Sequence, residues 1–287
     1  MQIRSLAPLG AACTLGVAAV FAGVATASRA ASPAPVVAVT IGSRGPAVSG
    51  PTTWRPGAAR IAVRSQVADQ EVVLLHFRAG YSYTRFLADG ARAHRRGTAA
   101  RAALRRLFAE TIFDGGVDLW RGQSATFAVT VRTGTYYLGE LTRRPQLVPI
   151  HVAGEPREGR TVPSATVTAT DSGYRIDRST LPKAGTITIR NRGARPHRLN
   201  LIPVEQGTTR AELGAYLRTT GARDNAPPPS FALDGPELGT ADLSAHAQMQ
   251  LTYRLPAGEY AVIDLNHDMT SGRPEALEGM YAIVTLR

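Results

Sequence analysis

One pattern constrains the fold more than any other: short runs in which apolar and polar residues alternate, separated by Gly and Pro. Examples are residues 60–64 (RIAVR), 125–131 (ATFAVTV) and 249–255 (MQLTYRL). Because successive side chains of a strand point to opposite faces, such runs predict strands with one buried face. Many short strands between turn residues predict an all-β sandwich or barrel.

This strand pattern occurs twice along the chain, in the same order. Residues 54–64 parallel 181–190, residues 71–80 parallel 198–207, and residues 134–140 parallel 258–264 at a nearly constant offset. This repeat predicts two related domains, at 50–153 and 164–287. The Pro- and Gly-containing stretch 154–163 is the predicted linker between them.

A short helical insertion is predicted in each domain. In the second, Thr209 and Glu212 have the spacing of a capping box, followed by apolar Leu213 and Leu217. In the first, residues 98–112 place apolar side chains on one face of a helix and arginines on the other.

The first 31 residues have the features of a cleaved signal peptide. Arg4 precedes an uncharged apolar stretch at 11–27, which ends in small residues. We therefore predict a secreted or cell-envelope protein with no transmembrane segment after cleavage, a retained anchor being the alternative. Residues 32–49, rich in Ser, Pro and Gly, are predicted to be a disordered lead-in. The one cysteine, Cys13, lies in the leader, so the mature chain has no disulfide.

Three segments of the second domain carry a family resemblance: 189–197 (IRNRGARPH), 255–260 (LPAGEY) and 272–280 (GRPEALEGM). In this order and spacing, residues 185–287 resemble the cupredoxin fold, in particular the plastocyanin-like domains of secreted bacterial proteins. The resemblance implies two cupredoxin-like Greek-key β-sandwich domains in tandem.

The resemblance also assigns positions to the blue-copper ligands. His197 matches the first histidine, Met280 the axial methionine and Asp264 the cysteine. Glu275 matches the second histidine, for which His267 is the alternative. A blue-copper centre needs a thiolate, which Asp264 does not supply, so such a centre is excluded on chemical grounds.

Two hypotheses for this remnant stay open. In one, the site is vestigial and holds no cofactor, with His197 hydrogen-bonded and Met280 packed in the core. In the other, His197 binds Cu²⁺ or Zn²⁺ together with Asp264, Glu275 or His267, because imidazole and carboxylate are suitable ligands for both ions.

Several kinds of catalytic chemistry lack their motifs. The sequence has no Gly-x-Ser-x-Gly elbow, no His-Glu-x-x-His and no phosphate-binding glycine loop. The His-x-His pairs of a multicopper oxidase are also missing. We therefore predict that the chain is not an enzyme. A hydrolase using carboxylates of residues 264–278 is a third, weaker hypothesis.

Positive charge is concentrated in the first domain. Residues 50–153 carry 15 arginines and 7 acidic residues, whereas residues 164–287 carry 13 basic and 13 acidic residues. The densest cluster consists of Arg92, Arg95, Arg96, Arg101, Arg105 and Arg106. It predicts contact with an anionic cell-envelope surface or an acidic protein, a solvated helix face being the alternative. Nucleic acid is not expected, because no aromatic residues are interleaved with the arginines.

Together these observations predict an exported, non-enzymatic binding or interaction module. A Cu²⁺- or Zn²⁺-binding protein outside the cytoplasm is the alternative function.

Overall fold

A computed structural model describes residues 36–67, 70–95, 97–141, 145–157, 163–221, 227–268 and 271–287. The predicted signal peptide, Cys13, Arg96 and most of the predicted linker lie outside these ranges. None of the helices formed by the described residues is long and apolar enough to span a membrane.

The described residues of the N-terminal half form nine strands and two helices. In chain order they are β1 (Val36–Gly42), β2 (Gly45–Ser49), β3 (Thr53–Trp54), β4 (Gly57–Ser65), β5 (Gln70–Phe77), α1 (Tyr83–Ala93), α2 (Thr98–Glu110), β6 (Thr111–Leu119), β7 (Ser124–Val131), β8 (Gly134–Glu140) and β9 (Gln146–Val152).

In the part of the C-terminal half that the structure describes there are a further nine strands and one α-helix. They are β10 (Ala165–Thr170), β11 (Gly173–Ile176), β12 (Thr180–Leu181), β13 (Ala184–Asn191), β14 (Asn200–Val204), α3 (Arg210–Tyr216), β15 (Leu238–Gly239), β16 (Gln248–Arg254), β17 (Gly258–Ile263) and β18 (Tyr281–Leu286). A π-helical turn (Leu217–Gly221) follows α3, and a 3₁₀ helix (Glu275–Glu278) precedes β18.

The strands form two sheets that run through both halves. The orders are β11-β10-β13-β16-β7-β4-β1-β2 and β12-β18-β17-β14-β15-β6-β5-β8-β9-β3. In both sheets, strands at equal distance from the centre of the order are counterparts in the sequence repeat. The two central pairs are β7 with β16 and β6 with β15. The predicted all-β fold of two cupredoxin-like Greek-key sandwiches in tandem is confirmed, whereas the exact domain boundaries stay a prediction.

The predicted disordered lead-in is wrong for residues 36–49. These residues form the β1–β2 hairpin, and β1 pairs in parallel with β4, placing Val37 opposite Ile61. Val37, Val39 and Ile41 are buried. The Gly, Ser and Pro content of the segment concealed its apolar alternation, which is a strand pattern once a neighbouring strand satisfies its backbone.

The main hydrophobic core lies between the two sheets and continues from one half into the other. Phe127 of β7 lies opposite Leu251 of β16, and both are fully buried. Burial of this kind contributes roughly 2 kcal/mol for each large apolar side chain. The core therefore joins the two halves into one compact unit.

The predicted helices are present with one change of boundary. In α3 the Thr209 hydroxyl accepts from the Glu212 amide at 3.1 Å, and the Glu212 carboxylate accepts from the Thr209 amide at 2.8 Å. This confirms the capping box. Helix α2 ends at Glu110 rather than at Ile112, because Ile112 pairs with His76 of β5 in the sheet.

Candidate functional site

The backbone brings the predicted ligand positions to one end of the C-terminal half. Asp264 directly follows β17 and Met280 directly precedes β18, and the Asp264 amide donates to the Met280 carbonyl at 3.0 Å. The Met280 amide donates to the carbonyl of Glu275 at 3.2 Å. His197, on the segment between β13 and β14, enters the same region from the adjacent loop.

His197 is held between two carboxylates. Its Nδ1 lies 3.0 Å from Asp264 Oδ2 and its Nε2 lies 3.1 Å from Asp171 Oδ1. An ionised carboxylate only accepts hydrogen bonds, so a ring nitrogen that bonds to one must carry a proton. Burial by itself lowers the pKa of His197, but the hydrogen bonds to Asp264 and Asp171 and the charges of Asp264 and Glu275 outweigh it and raise the pKa above its usual value.

Asp264 occupies the predicted cysteine position and is fully buried. Besides His197, its carboxylate accepts from the backbone amides of Asn266 at 3.0 Å and Arg198 at 3.3 Å. Met280 is also fully buried. Asp264 and His197 therefore have hydrogen-bond partners within the protein.

Arg195 lies beside this pair and contacts four carboxylates. The distances from its guanidinium nitrogens are 2.5 Å to Asp268, 2.7 Å to Glu278, 3.2 Å to Glu275 and 3.6 Å to Asp171. Through Asp171, which also contacts His197, these residues form one connected group, the ion-pair network: Asp171, Arg195, His197, Asp264, Asp268, Glu275 and Glu278.

Glu275 is a deeply buried acid that lines a cavity. Its side chain is 3% exposed, and among the described residues its Oε2 accepts no hydrogen bond although it lies 3.2 Å from Arg195. Burial raises the pKa of Glu275 to about 7, against the opposing charges of Arg195 and His197.

The cavity is a cleft of about 200 Å³ between the two halves. Its walls come from the end of α2, from the loop before β14 and from the segment that follows β17. They are formed by Phe108, Ala109, Ala194, Arg195, Pro196, Asn266, His267, Asp268 and Glu275. His267 is exposed at this cleft, whereas His197 is buried.

These residues do not fit a blue-copper ion. An aspartate takes the place of the thiolate, and both ring nitrogens of His197 are already bonded to carboxylates. Nor do the described ranges contain a group of three or more His, Cys, Asp or Glu side chains placed to hold a metal ion. The arrangement can bind through charge and hydrogen bonds, but it lacks the ligand set for electron transfer by copper.

Sequence reasoning missed Arg195 and Asp171, which complete the network. Arg195 lies two residues before His197, so the Arg-Pro-His sequence offered a local signal. Asp171 lies in the turn between β10 and β11, and its carboxylate also accepts from the backbone amides of Ala194 and Arg195. No local pattern marks that aspartate, because its role depends on how the turn meets the histidine loop.

The arginine cluster lies on α1 and α2 and the turn between them. Arg92, Arg95, Arg101, Arg105 and Arg106 are exposed, and Arg96 lies outside the described residues. Arg106 donates two hydrogen bonds to Asp89, at 2.8 and 2.7 Å, and Arg92 lies 3.6 Å from the same carboxylate. Two members of the predicted cluster are thus engaged in joining the helices.

Comparison with known proteins identified similar structures only. No family model and no curated protein matches the chain. An auracyanin from Roseiflexus castenholzii is 16% identical over 42% of this chain and 94% of its own, with a TM-score of 0.27. A multicopper oxidase is 14% identical over 88% of both chains, with a TM-score of 0.25. A copper-containing nitrite reductase from Thermus scotoductus is 11% identical over 90% of this chain and 69% of its own, with a TM-score of 0.23.

The prediction that this chain is not an enzyme is wrong, because it excluded catalysis altogether. The matched structures include multicopper oxidases and a copper nitrite reductase, whose names are those of enzymes. Missing motifs of other enzyme classes therefore do not exclude catalysis on this architecture. At such low identity and TM-score the matches transfer no residue, ligand or reaction to this chain. The strand order described above shows that the protein has a cupredoxin-like fold, as the resemblance predicted.

Proposed function

We propose that this chain is an exported binding protein that works through contact surfaces on a cupredoxin-like framework, and not through a blue-copper centre. One observation carries the proposal: the residues at the ligand positions bind one another. His197 lies within hydrogen-bond distance of Asp264 and Asp171, and Glu275 pairs with Arg195. A metal ion at His197 would have to displace one of these two carboxylates.

The arginine face of α1 and α2 is the proposed contact surface. Arg95, Arg101 and Arg105 are exposed there, in a half of the chain with a large excess of arginine. Guanidinium groups form paired hydrogen bonds with phosphate and carboxylate, which favours an anionic partner. For an exported chain we take that partner to be an anionic cell-envelope surface, and specifically the phosphate of lipid headgroups.

The docking proposal is tested by sedimentation with vesicles. We expect binding to vesicles rich in phosphatidylglycerol, weaker binding at high salt, and none to phosphatidylcholine. Arg101→Glu combined with Arg105→Glu should reduce binding at least tenfold. This pair leaves Arg106 and its contact with Asp89 in place.

The matched control is Arg60→Glu with Arg64→Glu, which makes the same charge change on two exposed residues of β4. It should retain most of the binding. Equal losses in both variants would show that net charge acts and that the helix face has no special role. No binding by the wild type would overturn the docking proposal.

The alternative is a Cu²⁺- or Zn²⁺-binding protein that uses His197 with Asp264, Glu275 or His267. It is tested by metal analysis of the purified protein after incubation with each ion. Stoichiometric metal that is lost in His197→Ala would favour this alternative over the proposal. Metal lost only in His267→Ala would indicate a surface site on the exposed imidazole.

A further inference from the structure

The outer face of the eight-stranded sheet runs across both halves of the chain. Along β10, β13, β16, β7, β4 and β1, side chains alternate between the core and this outer face. The register places outward residues of neighbouring strands side by side, so that Thr252 lies beside Thr126 and Thr126 beside Ala62. The outward residues of these six strands therefore form one continuous surface, the threonine face.

Hydroxyl groups are frequent on the threonine face. Its outward residues include Thr126, Thr130, Thr166, Thr168, Thr186 and Thr252. The hydroxyls of Thr186 and Thr252 lie 2.7 Å apart on neighbouring strands, so the array is close enough for one ligand to contact several members. Apart from Val36, no large apolar or aromatic side chain points outward from these described strands. The face therefore lacks the aromatic anchors of a protein interface or of a nucleobase site.

All the charge on the threonine face is positive. Its charged residues are Arg60, Arg64, Arg190 and Arg254, joined at the edge by Arg175 of β11. The sequences of the six strands contain no Asp or Glu. At the margin, Asp177 accepts a hydrogen bond from the Thr166 amide at 2.9 Å. A basic surface without acids of its own favours an anionic partner.

The arginines of this face are widely spaced. Arg60 and Arg64 are four residues apart on β4, which corresponds to about 13 Å along a strand. Arg64 and Arg254 each lie two residues beyond Ala62 and Thr252, which face one another across β7, so they are separated by roughly 10 Å. Double-stranded DNA carries a charge about every 1.7 Å and favours a denser basic cluster. A polymer whose charges are separated by hydroxyl groups suits both the arginines and the threonines between them.

We propose that the threonine face binds an acidic polysaccharide whose charges are uronate carboxylates. The carboxylates accept paired hydrogen bonds from the arginines, and the sugar hydroxyls exchange hydrogen bonds with the threonines. The arginine face of α1 and α2 lies on the opposite side of the sandwich. There Phe86 and Leu107 of the helices pack against Val73 and Leu75, which point outward from the other sheet. The polysaccharide site therefore does not depend on docking to lipid.

The proposal is tested by affinity electrophoresis of the purified protein in gels containing hyaluronan at physiological salt. Hyaluronan carries a carboxylate on every second sugar, with hydroxyl groups between. Neutral dextran and a double-stranded DNA are the comparison polymers. We expect hyaluronan to retard the protein and dextran to have no effect. No retardation by hyaluronan would overturn the proposal, and so would DNA binding that is tighter and is lost in the same variants.

Two charge variants locate the site. Arg60→Gln with Arg64→Gln should weaken hyaluronan binding at least tenfold, because it removes two exposed guanidinium groups from the threonine face. The matched control Arg101→Gln with Arg105→Gln removes the same charge from α2 and should retain hyaluronan binding. Binding of phosphatidylglycerol vesicles should show the reverse ranking, so failure of either proposal is recognisable by itself. Equal losses of hyaluronan binding in the two variants would show that only net charge acts and would refute the assignment.

A third variant tests the hydroxyl groups without changing charge. Thr126→Val with Thr130→Val keeps the β-branched shape that strands favour and removes two outward hydroxyls of β7. It should weaken hyaluronan binding at least threefold and leave vesicle binding and the thermal unfolding midpoint unchanged. Unchanged hyaluronan binding would show that charge alone holds the polymer and would overturn a polysaccharide-specific face.

Discussion

At the scale of single residues, Asp264 explains why His197 is bound from within the protein. Asp264 places a carboxylate where the resemblance puts a thiolate, and it lies 3.0 Å from His197. An ionised carboxylate favours a protonated imidazole. In a copper site the histidine binds the metal, so its ligating nitrogen cannot be protonated. Once His197 is protonated, a second acid, Asp171, stabilises the other nitrogen.

Removing His197 should expose the cost of burying Asp264. We expect His197→Ala to lower the free energy of unfolding by about 3–5 kcal/mol, because it leaves a fully buried carboxylate without its charged partner. Urea unfolding at pH 7 measures the change. The control His151→Ala removes an exposed histidine from β9 and should cost less than about 1 kcal/mol. Similar losses in the two variants would mean that the buried pair contributes nothing specific.

At the scale of elements, a buried acid links helices α1 and α2. Asp89 of α1 is buried, accepts two hydrogen bonds from Arg106 of α2 and a third from the Tyr81 hydroxyl at 3.0 Å. The hydrogen bond from Arg106 is the main reason that the pKa of Asp89 is lowered, and it outweighs the effect of burial. The arginine face thus combines exposed arginines with one that holds the two helices together.

This contact predicts how stability depends on pH. Because the folded pKa of Asp89 is below its unfolded value of 3.8, its contribution is complete above that pH and is lost as the pH falls through the folded pKa. Arg106→Gln should therefore lower the free energy of unfolding at pH 7, and the difference from wild type should shrink toward pH 2. Urea unfolding across this range measures it.

Arg105→Gln is the matched control, since it removes a neighbouring exposed arginine from the same helix. It should change stability little at any pH. A pH-independent loss in Arg106→Gln would show that packing of the arginine stem, and not the charge on Asp89, fastens the helices.

At the scale of the whole molecule, the two halves are joined through positions that correspond in the repeat. Glu71 and Arg198 align in the sequence parallel, and in the structure the Arg198 guanidinium lies 2.7 Å from the Glu71 carboxylate. Identical residues at such facing positions would repel one another if charged. Here the two positions carry opposite charges, which pair across the join.

A double-mutant cycle on Glu71→Gln and Arg198→Gln should give a coupling energy of about 1–3 kcal/mol at pH 8. Burial raises the pKa of Glu71 to about 7 despite the opposing charge of Arg198. The carboxyl is therefore protonated at pH 5, and the coupling should be smaller there.

The control cycle uses Glu155→Gln and Arg175→Gln, two exposed residues, and should give less than about 0.5 kcal/mol. Equal coupling energies in the two cycles would rule out the cross-half pair as a contributor. Thermal unfolding of the wild type should show one cooperative transition, because β7–β16 and β6–β15 pair across the join.

Sequence by itself determined the local structure and the kind of chemistry that is possible. The period-two alternation predicts the strands of both copies because side-chain direction in a strand depends only on position along it. The Thr209–Glu212 capping box is equally local. No cysteine follows Cys13, so residues 14–287 cannot supply the thiolate of a blue-copper centre whatever the fold.

Only the tertiary structure decided which charges meet. Asp171 reaches His197 across 26 positions of the sequence, and Glu71 reaches Arg198 across 127. Nor did the sequence show that residues 36–49 are strands, since a strand at the edge of a sheet is stabilised by the partner it pairs with. The physical reason is common to these cases: hydrogen bonds and ion pairs act over a few ångströms of space, and the folded sheets bring distant segments within that range.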